Sequence, residues 1–237
     1  MRLIKAGFEI LTPIDGEEIL KNIEKAARTC YQSEGKIEYE DKWILNDRGE
    51  STGVIRDYAV SARVLIKKLM KLGHEAMFEF GGMITVRFIV DRGVSHELVR
   101  HRVASFAQES TRYCNYGKDE HISFIIPCWT DFEEGIVEGT GQFDKPGRQW
   151  ISVMEIAEFN YNLLIKDFKW SPQQARSVLP NSLKTEINVS ANIREWRHIL
   201  KLRTANAAHP QMQEVMRPLL KEFQSRIPLL FNDISYG

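Results

Sequence analysis

The most chemically distinctive stretch of the sequence is VRHRVASFAQESTRY, residues 99–113. It combines four basic side chains with two serine hydroxyls: Arg100, His101, Arg102, Arg112, Ser105 and Ser110. A guanidinium group keeps its charge at physiological pH, and its forked donors suit phosphate and carboxylate oxygens. The spacing alone leaves two interpretations open. The stretch is either an anion-binding site or a structural feature, which would be a solvated basic turn or a set of arginines that hold subunits together through carboxylates.

The charge balance of the chain limits the classes of partner that this basic stretch could bind. The 237 residues include 32 basic and 32 acidic side chains, and 43% of the residues are hydrophobic, which is ordinary for a globular protein. A protein that coats nucleic acid usually carries a marked basic excess. An arginine-rich nucleic-acid-binding module is therefore disfavoured, and the sequence predicts a local site with no nucleic-acid partner.

The cysteines and the apolar runs indicate a compartment. Cys30, Cys114 and Cys128 are an odd, widely spaced set without a CxxC pair, which argues against a disulfide framework. The first residues lack the apolar run of a signal peptide, and no run approaches the roughly 18 apolar residues of a membrane span. We therefore expect a soluble, cytoplasmic protein without a membrane partner.

The spacing of the basic stretch resembles a family signature. Arg-His-Arg, two residues, Ser, four residues, Ser, one residue and Arg is similar to the motif of the flavin-dependent thymidylate synthases. Three other segments also resemble that family: GHEAMFEF with His74 and Glu75, QQARSVLP with Arg176, and NIREWRHILKLR with Asn192, Arg194, His198 and Arg203. The resemblance thus extends through most of the chain.

The resemblance implies a reaction and its ligands. The reaction is the reductive methylation of dUMP to dTMP, with 5,10-methylenetetrahydrofolate as carbon donor, FAD as redox cofactor and NADPH as reductant. It implies no enzyme cysteine nucleophile, and no metal is expected. The segment FIIPCWTDF gives Cys128 no basic neighbour to lower its pKa, so Cys128, like Cys114, is interpreted as a buried or partly buried thiol without a catalytic role. Another flavin-dependent nucleotide-modifying enzyme is the alternative. A domain of this size cannot easily surround three such ligands, and the resemblance implies a homotetramer with sites at subunit interfaces.

The resemblance also implies roles for individual residues. Arg203 is the predicted catalytic residue, because a guanidinium facing the pyrimidine stabilises negative charge on the ring and activates C5. The residues that the resemblance assigns to the cofactor are His74, Arg100, His101, Arg102, Gln108, Asn192, Arg194 and His198. Those that it assigns to the substrate are Glu97, Arg100, Gln108, Glu109, Ser110, Thr111, Arg112, Arg176 and Arg203.

Two positions depart from the family pattern, and some predicted site residues also have structural interpretations. The chain has Ala107-Gln108 where the family commonly has Asn-Glu, and Glu97 where the family often has Gln. Asn192 is also a candidate helix N-cap, with Glu195 three residues on. Arg203 lies near the end of the same helix, where a cation is favoured in any case.

The elements that must position these residues follow from the apolar pattern. We predict one α+β domain over residues 1–237, with a mostly antiparallel sheet packed by helices. Strands are expected over 2–11, 81–90, 121–127 and 183–192, and helices over 14–31, 61–75, 95–102, 149–168, 171–180, 193–206 and 210–227. Gly73 should end the second helix and Ser95 should cap the third. Residues 33–50 are expected to be irregular, and 131–147 to form a loop.

Overall fold

The computed structural model describes residues 1–38, 40–57, 59–118, 120–141 and 143–236. The helices are α1 (Gly16–Cys30), α2 (Val60–Leu72), α3 (Arg92–Leu98), α4 (Lys145–Lys166), α5 (Pro172–Ala175), α6 (Ile193–Arg203), α7 (Pro210–Arg226) and α8 (Pro228–Phe231). The strands are β1 (Arg2–Ile4), β2 (Gly7–Ile10), β3 (Glu40–Leu45), β4 (Ser51–Asp57), β5 (Met83–Asp91), β6 (Ser105–Gln108), β7 (Ser123–Ile125), β8 (Gly135–Ile136) and β9 (Lys184–Asn192). Short 3-10 helices cover Glu34–Lys36, Glu75–Gly81, Tyr116–Lys118 and Arg176–Val178.

The strands form three sheets, and the predicted α+β class is confirmed. One sheet has the order β7-β1-β8, a second has the order β2-β5-β9-β6, and β3 and β4 form a two-stranded ribbon. β1 runs parallel to β7, whereas β1 with β8, β2 with β5, and β3 with β4 are antiparallel. Among the helices of the described residues, none is both long and apolar enough to cross a bilayer.

The chain divides into two compact units. The first comprises residues 1–10, 86–189 and 207–215, and the second comprises residues 11–85, 190–206 and 216–237. The first unit has a hydrophobic core in which Leu3 of β1 and Phe124 of β7 meet the buried face of α4, including Ile151 and Tyr161. Asp144 caps α4 by accepting a hydrogen bond from the Gly147 amide.

The second unit is built on α1, the 3-10 helix Glu75–Gly81 and α6. The apolar stripe predicted for α1 is confirmed, since Ile19 and Ile23 are buried. The helices approach closely at Gly81, where a Cβ atom would lie 2.7 Å from Ile193 Cγ1, so this position requires glycine. On α6, the buried indole of Trp196 donates a hydrogen bond of 2.9 Å to the Ile84 carbonyl oxygen.

Most predicted elements are confirmed, and Gly73 ends α2 in the left-handed conformation, with φ of 70°. The single strand predicted over 2–11 is wrong, because the chain changes sheets after Ile4. β1 pairs with β7 and β2 pairs with β5. Between them, the Lys5 amide donates to Glu134 Oε1 at 2.7 Å, outside either ladder.

The predicted irregular segment over 33–50 is also wrong, since β3 lies within it and pairs with β4. The Trp43 side chain is exposed and the segment is polar, so the sequence lacks the apolar alternation that marks a half-buried strand. The Asn46 side chain accepts the Arg48 and Glu50 amides and organises the turn between the two strands. The predicted loop over 131–147 contains the short β8. Tyr39 and Gln142 lie outside the described residues.

The third helix begins earlier than predicted. Asp91, not Ser95, is the N-cap of α3, because Asp91 Oδ1 accepts the Val94 amide at 2.7 Å. Ser95 lies inside the helix, and its hydroxyl donates to the Arg92 carbonyl oxygen at 3.0 Å. Both residue types cap helices well. The length of β5, which ends at Asp91, therefore decides where the helix starts.

Candidate active site

The basic stretch forms a turn, a strand and a second turn in the first unit. After α3, the His101 amide donates to the Leu98 carbonyl oxygen and the Ala104 amide donates to the His101 carbonyl oxygen, each at 3.1 Å. β6 follows, and a second turn forms after it, where the Tyr113 amide donates to the Ser110 carbonyl oxygen at 3.2 Å. The signature residues thus lie on two turns and on the short strand between them, which begins with Ser105.

The basic side chains of the stretch differ in exposure. Arg100, Arg102 and Arg112 are exposed, whereas the His101 imidazole is buried. Within the described part of the chain, no ion pair engages any of these three guanidinium groups; Arg112 lies over the Tyr113 ring, 5.3 Å from its centroid. Because exposed, uncompensated guanidinium groups readily take an anionic partner, the stretch offers donors for phosphate or carboxylate oxygens.

Arg176 joins the basic stretch through a direct hydrogen bond. Its Nη1 atom donates to Thr111 Oγ1 at 3.1 Å. Arg176 begins the 3-10 helix that follows α5, and α5 starts with a capping box between Ser171 and Gln174. The structure therefore brings together two residues that the sequence assigns to the substrate, although they lie in separate segments.

Glu109 is the centre of a hydrogen-bonded network that the sequence analysis did not predict. Its Oε1 accepts from the Tyr116 hydroxyl at 2.5 Å, its Oε2 accepts from Lys184 Nζ at 3.1 Å, and its carbonyl oxygen accepts from Arg92 Nη2 at 3.0 Å. Burial, and then the hydrogen bond to Glu109, raises the pKa of the Tyr116 hydroxyl well above its ordinary value. Both carboxylate oxygens of Glu109 therefore already serve to hold this segment in place.

Part of this network has a signal in the sequence. Lys184 and Glu186 lie two residues apart on β9 and so share one face of the strand. Lys184 Nζ donates to Glu186 Oε1 at 2.7 Å, and this hydrogen bond lowers the pKa of the Glu186 carboxyl. The Glu109 amide in turn donates to the Glu186 carbonyl oxygen at 2.8 Å. The alternation of β9 therefore predicts the pair, but not its contact with Glu109.

Gln108, which departs from the family pattern, uses its amide within the chain. Its Nε2 donates to Ser95 Oγ at 2.8 Å and to Thr185 Oγ1 at 3.3 Å, and both hydroxyl-bearing residues are buried. The side chain therefore ties β6 to α3 and β9. Its contact with a cofactor or substrate stays a prediction.

In the second unit, His74 is placed by the end of α2. The Gly73 amide donates to the Met70 carbonyl oxygen and the His74 amide to the Leu69 carbonyl oxygen, the pattern of a Schellman motif. The exposed imidazole lies with Nδ1 3.2 Å from the Tyr31 hydroxyl oxygen. The chain therefore presents this imidazole at a fixed point just beyond the helix.

The two carboxylates that follow His74 pair with arginines of α6. Glu79 Oε1 accepts from Arg194 Nη1 at 2.6 Å, and Glu75 Oε1 lies 3.7 Å from Arg197 Nη2. Arg197 also forms a bidentate pair with Asp233, at 2.8 and 2.7 Å, which lowers the pKa of the Asp233 carboxyl. Arg197, absent from the predicted site, therefore joins the segment after His74 to α6 and the residues after α8.

The start of α6 is capped as the sequence predicts. Asn192 Oδ1 accepts the Glu195 amide at 2.9 Å, and Asn192 has extended backbone angles. On the same helix, Arg194 and His198 are exposed and Arg203 is partly buried. Asn192 is therefore the structural cap of α6. Roles of these residues in binding or catalysis stay predictions, as does that of Glu97, which lies partly buried on α3.

Cys128 is exposed, so its prediction as a buried or partly buried thiol is wrong, whereas Cys114 is partly buried. Although the residue as a whole is exposed, its sulfur is partly withdrawn from water. This partial burial raises the pKa of the Cys128 thiol, and the negative charges of Glu214 and Asp91 raise it further. Cys128 directly follows Pro127, the last residue of the buried run after β7. A raised thiol pKa lowers the thiolate fraction, which disfavours nucleophilic attack.

The fold is that of an α+β protein, and its exposed guanidinium groups offer donors for anionic ligands. Residues 14–229 match the family model described as thymidylate synthase complementing protein, so the chain belongs to that family. The match includes the basic stretch, Arg176 and Arg203, and it runs through segments of both units. The resemblance to flavin-dependent thymidylate synthases is therefore confirmed.

Curated relatives carry that enzyme's name. The chain is 28% identical to a flavin-dependent thymidylate synthase of Corynebacterium glutamicum, over 96% of this chain and 84% of the relative. It is 29% identical to a flavin-dependent thymidylate synthase of Geobacter sulfurreducens, over 90% of this chain and 80% of the relative.

Solved structures share the fold. One is a thymidylate synthase X of Helicobacter pylori with FAD and dUMP, with a TM-score of 0.66 and 21% identity, covering 97% of this chain and 98% of that one. Another is a UMP/dUMP methylase, PolB, of Streptomyces cacaoi bound with 5-Br dUMP. Its TM-score is 0.71 with 23% identity, and the coverage is 98% of this chain and 96% of that one.

Proposed function

We propose that this chain catalyses the reductive methylation of dUMP to dTMP, with 5,10-methylenetetrahydrofolate as carbon donor, FAD as cofactor and NADPH as reductant. The observation that carries the proposal is the hydrogen bond between Arg176 and Thr111, beside exposed guanidinium groups without ion pairs in the described residues. Membership of the thymidylate synthase complementing protein family indicates the reaction in which these guanidinium donors would take part. Each proposed ligand is an anion, which suits a local cationic site on a chain with no net charge.

The donor set of the chain fits FAD. Arg100 and Arg102 offer exposed guanidinium groups that can bind pyrophosphate oxygens, and Arg194 and His198 offer exposed donors on α6. When bound, the flavin carries reducing equivalents from NADPH to the carbon that is transferred. The proposed cofactor-binding residues are His74, Arg100, His101, Arg102, Gln108, Asn192, Arg194 and His198.

The substrate is held by the second turn of the basic stretch. Ser110, Thr111, Arg112 and Arg176 are the proposed ligands of dUMP, with Glu97, Arg100, Gln108 and Arg203 as further contacts. Glu109 is retained as a substrate-binding residue through its position beside Ser110. Its carboxylate orients the turn through Tyr116 and Lys184. The pairing of each donor with a particular substrate oxygen is part of the proposal.

Arg203 is the proposed catalytic residue. A guanidinium beside the pyrimidine stabilises the negative charge that develops on the ring, so C5 can act as the carbon nucleophile. This activation requires no enzyme cysteine. The raised pKa of Cys128 supports that view, since it keeps the thiol protonated at neutral pH.

We further propose that residues 1–237 form one domain that assembles as a cytoplasmic homotetramer with its sites at subunit interfaces. The single family match through both units supports one domain. The size of the three ligands relative to one chain supports shared sites. An active species that light scattering shows to be a monomer would contradict the assembly.

Absorbance spectroscopy distinguishes this function from its alternatives. The purified chain should be yellow or bind added FAD, and dUMP should shift its flavin spectrum. Arg176→Lys should weaken the dUMP response, whereas Arg148→Lys, at an exposed arginine of α4, should leave it unchanged. A colourless protein that does not bind FAD would favour a nucleic-acid-binding module. A flavoprotein indifferent to dUMP would favour another flavin enzyme.

A further inference from the structure

A cavity lies in the first unit, between the segment after β7 and the start of α4. Its volume is about 630 Å³. The residues that line it are Pro127, Trp129, Thr130, Asp131, Phe132, Phe143, Asp144, Pro146, Gly147 and Trp150. None of them belongs to the proposed FAD or dUMP site. The volume falls within the roughly 300–1,000 Å³ typical of small-molecule sites.

Aromatic side chains dominate the wall of this cavity. Phe132 and Phe143 pack edge to face, with ring centroids 4.9 Å apart, and Phe132 lies 5.8 Å from the Trp150 ring. Trp129 is 62% exposed, and its ring meets that of His209 at 5.9 Å. Three rings therefore form a fixed, partly buried cluster, while the Trp129 side chain remains accessible.

The charge of the cavity is negative. Asp131 and Asp144 line it, and none of its ten described lining residues is basic. A neighbouring cavity shares Asp131, Phe132 and Phe143 and adds Glu133 and Glu134. Asp144 uses Oδ1 to cap α4. The carboxylates disfavour dUMP, FAD, folate and NADPH, because all four are anions.

We propose that this cavity binds a small organic cation of the quaternary ammonium class. A methylated ammonium is attracted to the faces of aromatic rings and loses little hydration when it enters an apolar cavity. The carboxylates of Asp131 and Asp144 add attraction for the positive charge. The proposal does not depend on the methylation of dUMP, because it uses other residues and a ligand of opposite charge.

Calorimetric titration of the full-length protein with choline tests the proposal, with 3,3-dimethyl-1-butanol as the neutral analogue of the same shape. Choline should bind at least tenfold more tightly than the analogue. No detectable choline binding would overturn the proposal. Equal binding of the two compounds would also overturn it, since the cavity would then recognise shape and apolar surface without charge.

Substitutions in the lining test whether choline binds in this cavity. Trp129→Ala should weaken choline binding at least tenfold, and Asp131→Asn should weaken it severalfold. Trp43→Ala is the matched control, because Trp43 is 66% exposed and lies on β3. All three variants should keep the dUMP-induced flavin shift and the thermal midpoint of the unmodified protein. Unchanged choline binding by Trp129→Ala would overturn the proposed site.

Discussion

Arg176 and Thr111 are 65 residues apart in the sequence, yet Arg176 Nη1 donates a hydrogen bond of 3.1 Å to Thr111 Oγ1. The bond uses one of the five N–H donors of the guanidinium. The others remain for an anion, and the threonine hydroxyl fixes the direction in which they point. The structure thus places a single arginine against the turn that carries Ser110 and Arg112.

Replacing either partner of this bond should weaken the binding of dUMP. Arg176→Lys removes the forked donors, and we expect KM for dUMP to rise about tenfold or more because a bidentate contact is lost. Thr111→Val should raise KM by a smaller factor, since the guanidinium keeps its charge but loses its orientation. Steady-state kinetics at varied dUMP concentrations measures both effects.

A double-mutant cycle shows whether the two residues act together. If Thr111 works by orienting Arg176, the Thr111→Val change should have little further effect in the Arg176→Lys background. Fully additive effects on KM would contradict that coupling. Arg148→Lys is the control. It removes the forked donors of an exposed arginine elsewhere in the first unit and keeps the positive charge.

Tyr116→Phe should destabilise the fold through Glu109. The substitution removes the hydroxyl that donates to Glu109 Oε1 and leaves that partly buried oxygen without this donor. Hydrogen bonds to charged groups contribute about 1.5–3 kcal/mol, so the free energy of unfolding should fall by about that amount. Urea denaturation provides the measurement. Tyr113→Phe is the control, because Tyr113 is 78% exposed; an equal loss in both variants would contradict the network.

Glu214→Gln should stabilise the fold at neutral pH and not in acid. Burial, and then the negative charge of Asp91, raises the pKa of the Glu214 carboxyl, and Glu214 Oε2 is buried without a hydrogen-bond partner among the described residues. Between the ordinary and the raised pKa, the folded state binds more protons than the unfolded state, so stability falls as pH rises through that window. Above it, the charged carboxylate is unfavourable, by about 0.5 kcal/mol after allowance for its partial exposure.

Thermal unfolding between pH 4 and pH 8 tests this dependence. The Glu214→Gln variant should unfold at a higher temperature than the unmodified protein near pH 8, and the difference should vanish towards pH 4. Glu133→Gln, an exposed carboxylate of the same unit, should show no comparable gain. A stabilisation that is constant over this range would contradict the role of the Glu214 charge.

Arg194 and Arg197 of α6 should differ in their contribution to stability. Arg197 is 11% exposed and forms the bidentate pair with Asp233, so Arg197→Met should cost about 2 kcal/mol or more. Arg194 is 49% exposed in its pair with Glu79, so Arg194→Met should cost less than about 1 kcal/mol while weakening FAD retention. Chemical denaturation compares the stability of the two variants, and flavin release compares their retention of FAD. Equal losses of stability would contradict the difference between the two arginines.

Local patterns predict the elements whose signals are local. The stripe of α1, the glycine end of α2 and the Asn192 cap each depend on residues within one or two turns, and all three are confirmed. The polar segment 33–50 has no clear apolar alternation in its sequence, so periodicity does not reveal the β3–β4 ribbon. The prediction of Ser95 as the cap of α3 is wrong because Asp91, four residues earlier, is an equally good cap and lies at the end of β5.

In the candidate site, too, the sequence predicts the features that depend on neighbouring residues and misses the contacts between distant segments. The spacing of the basic stretch indicates its anion-binding residues, because the signature is contiguous in sequence. The network of Glu109 with Tyr116 and Lys184, and the pairing of Arg197 with Asp233, join distant segments. Contacts of this kind depend on sheet order and helix packing, which a single sequence does not specify.

Anaerobic turnover of dUMP labelled with tritium at C5 tests the central proposal most directly. With FAD, NADPH and 5,10-methylenetetrahydrofolate, the protein should release tritium to water and form dTMP in equal amounts. Arg203→Ala should lower both by roughly 100-fold or more with flavin still bound, and Cys128→Ala should retain turnover. Absence of dTMP from the flavin-loaded protein, or loss of turnover in Cys128→Ala with flavin bound, would contradict the account.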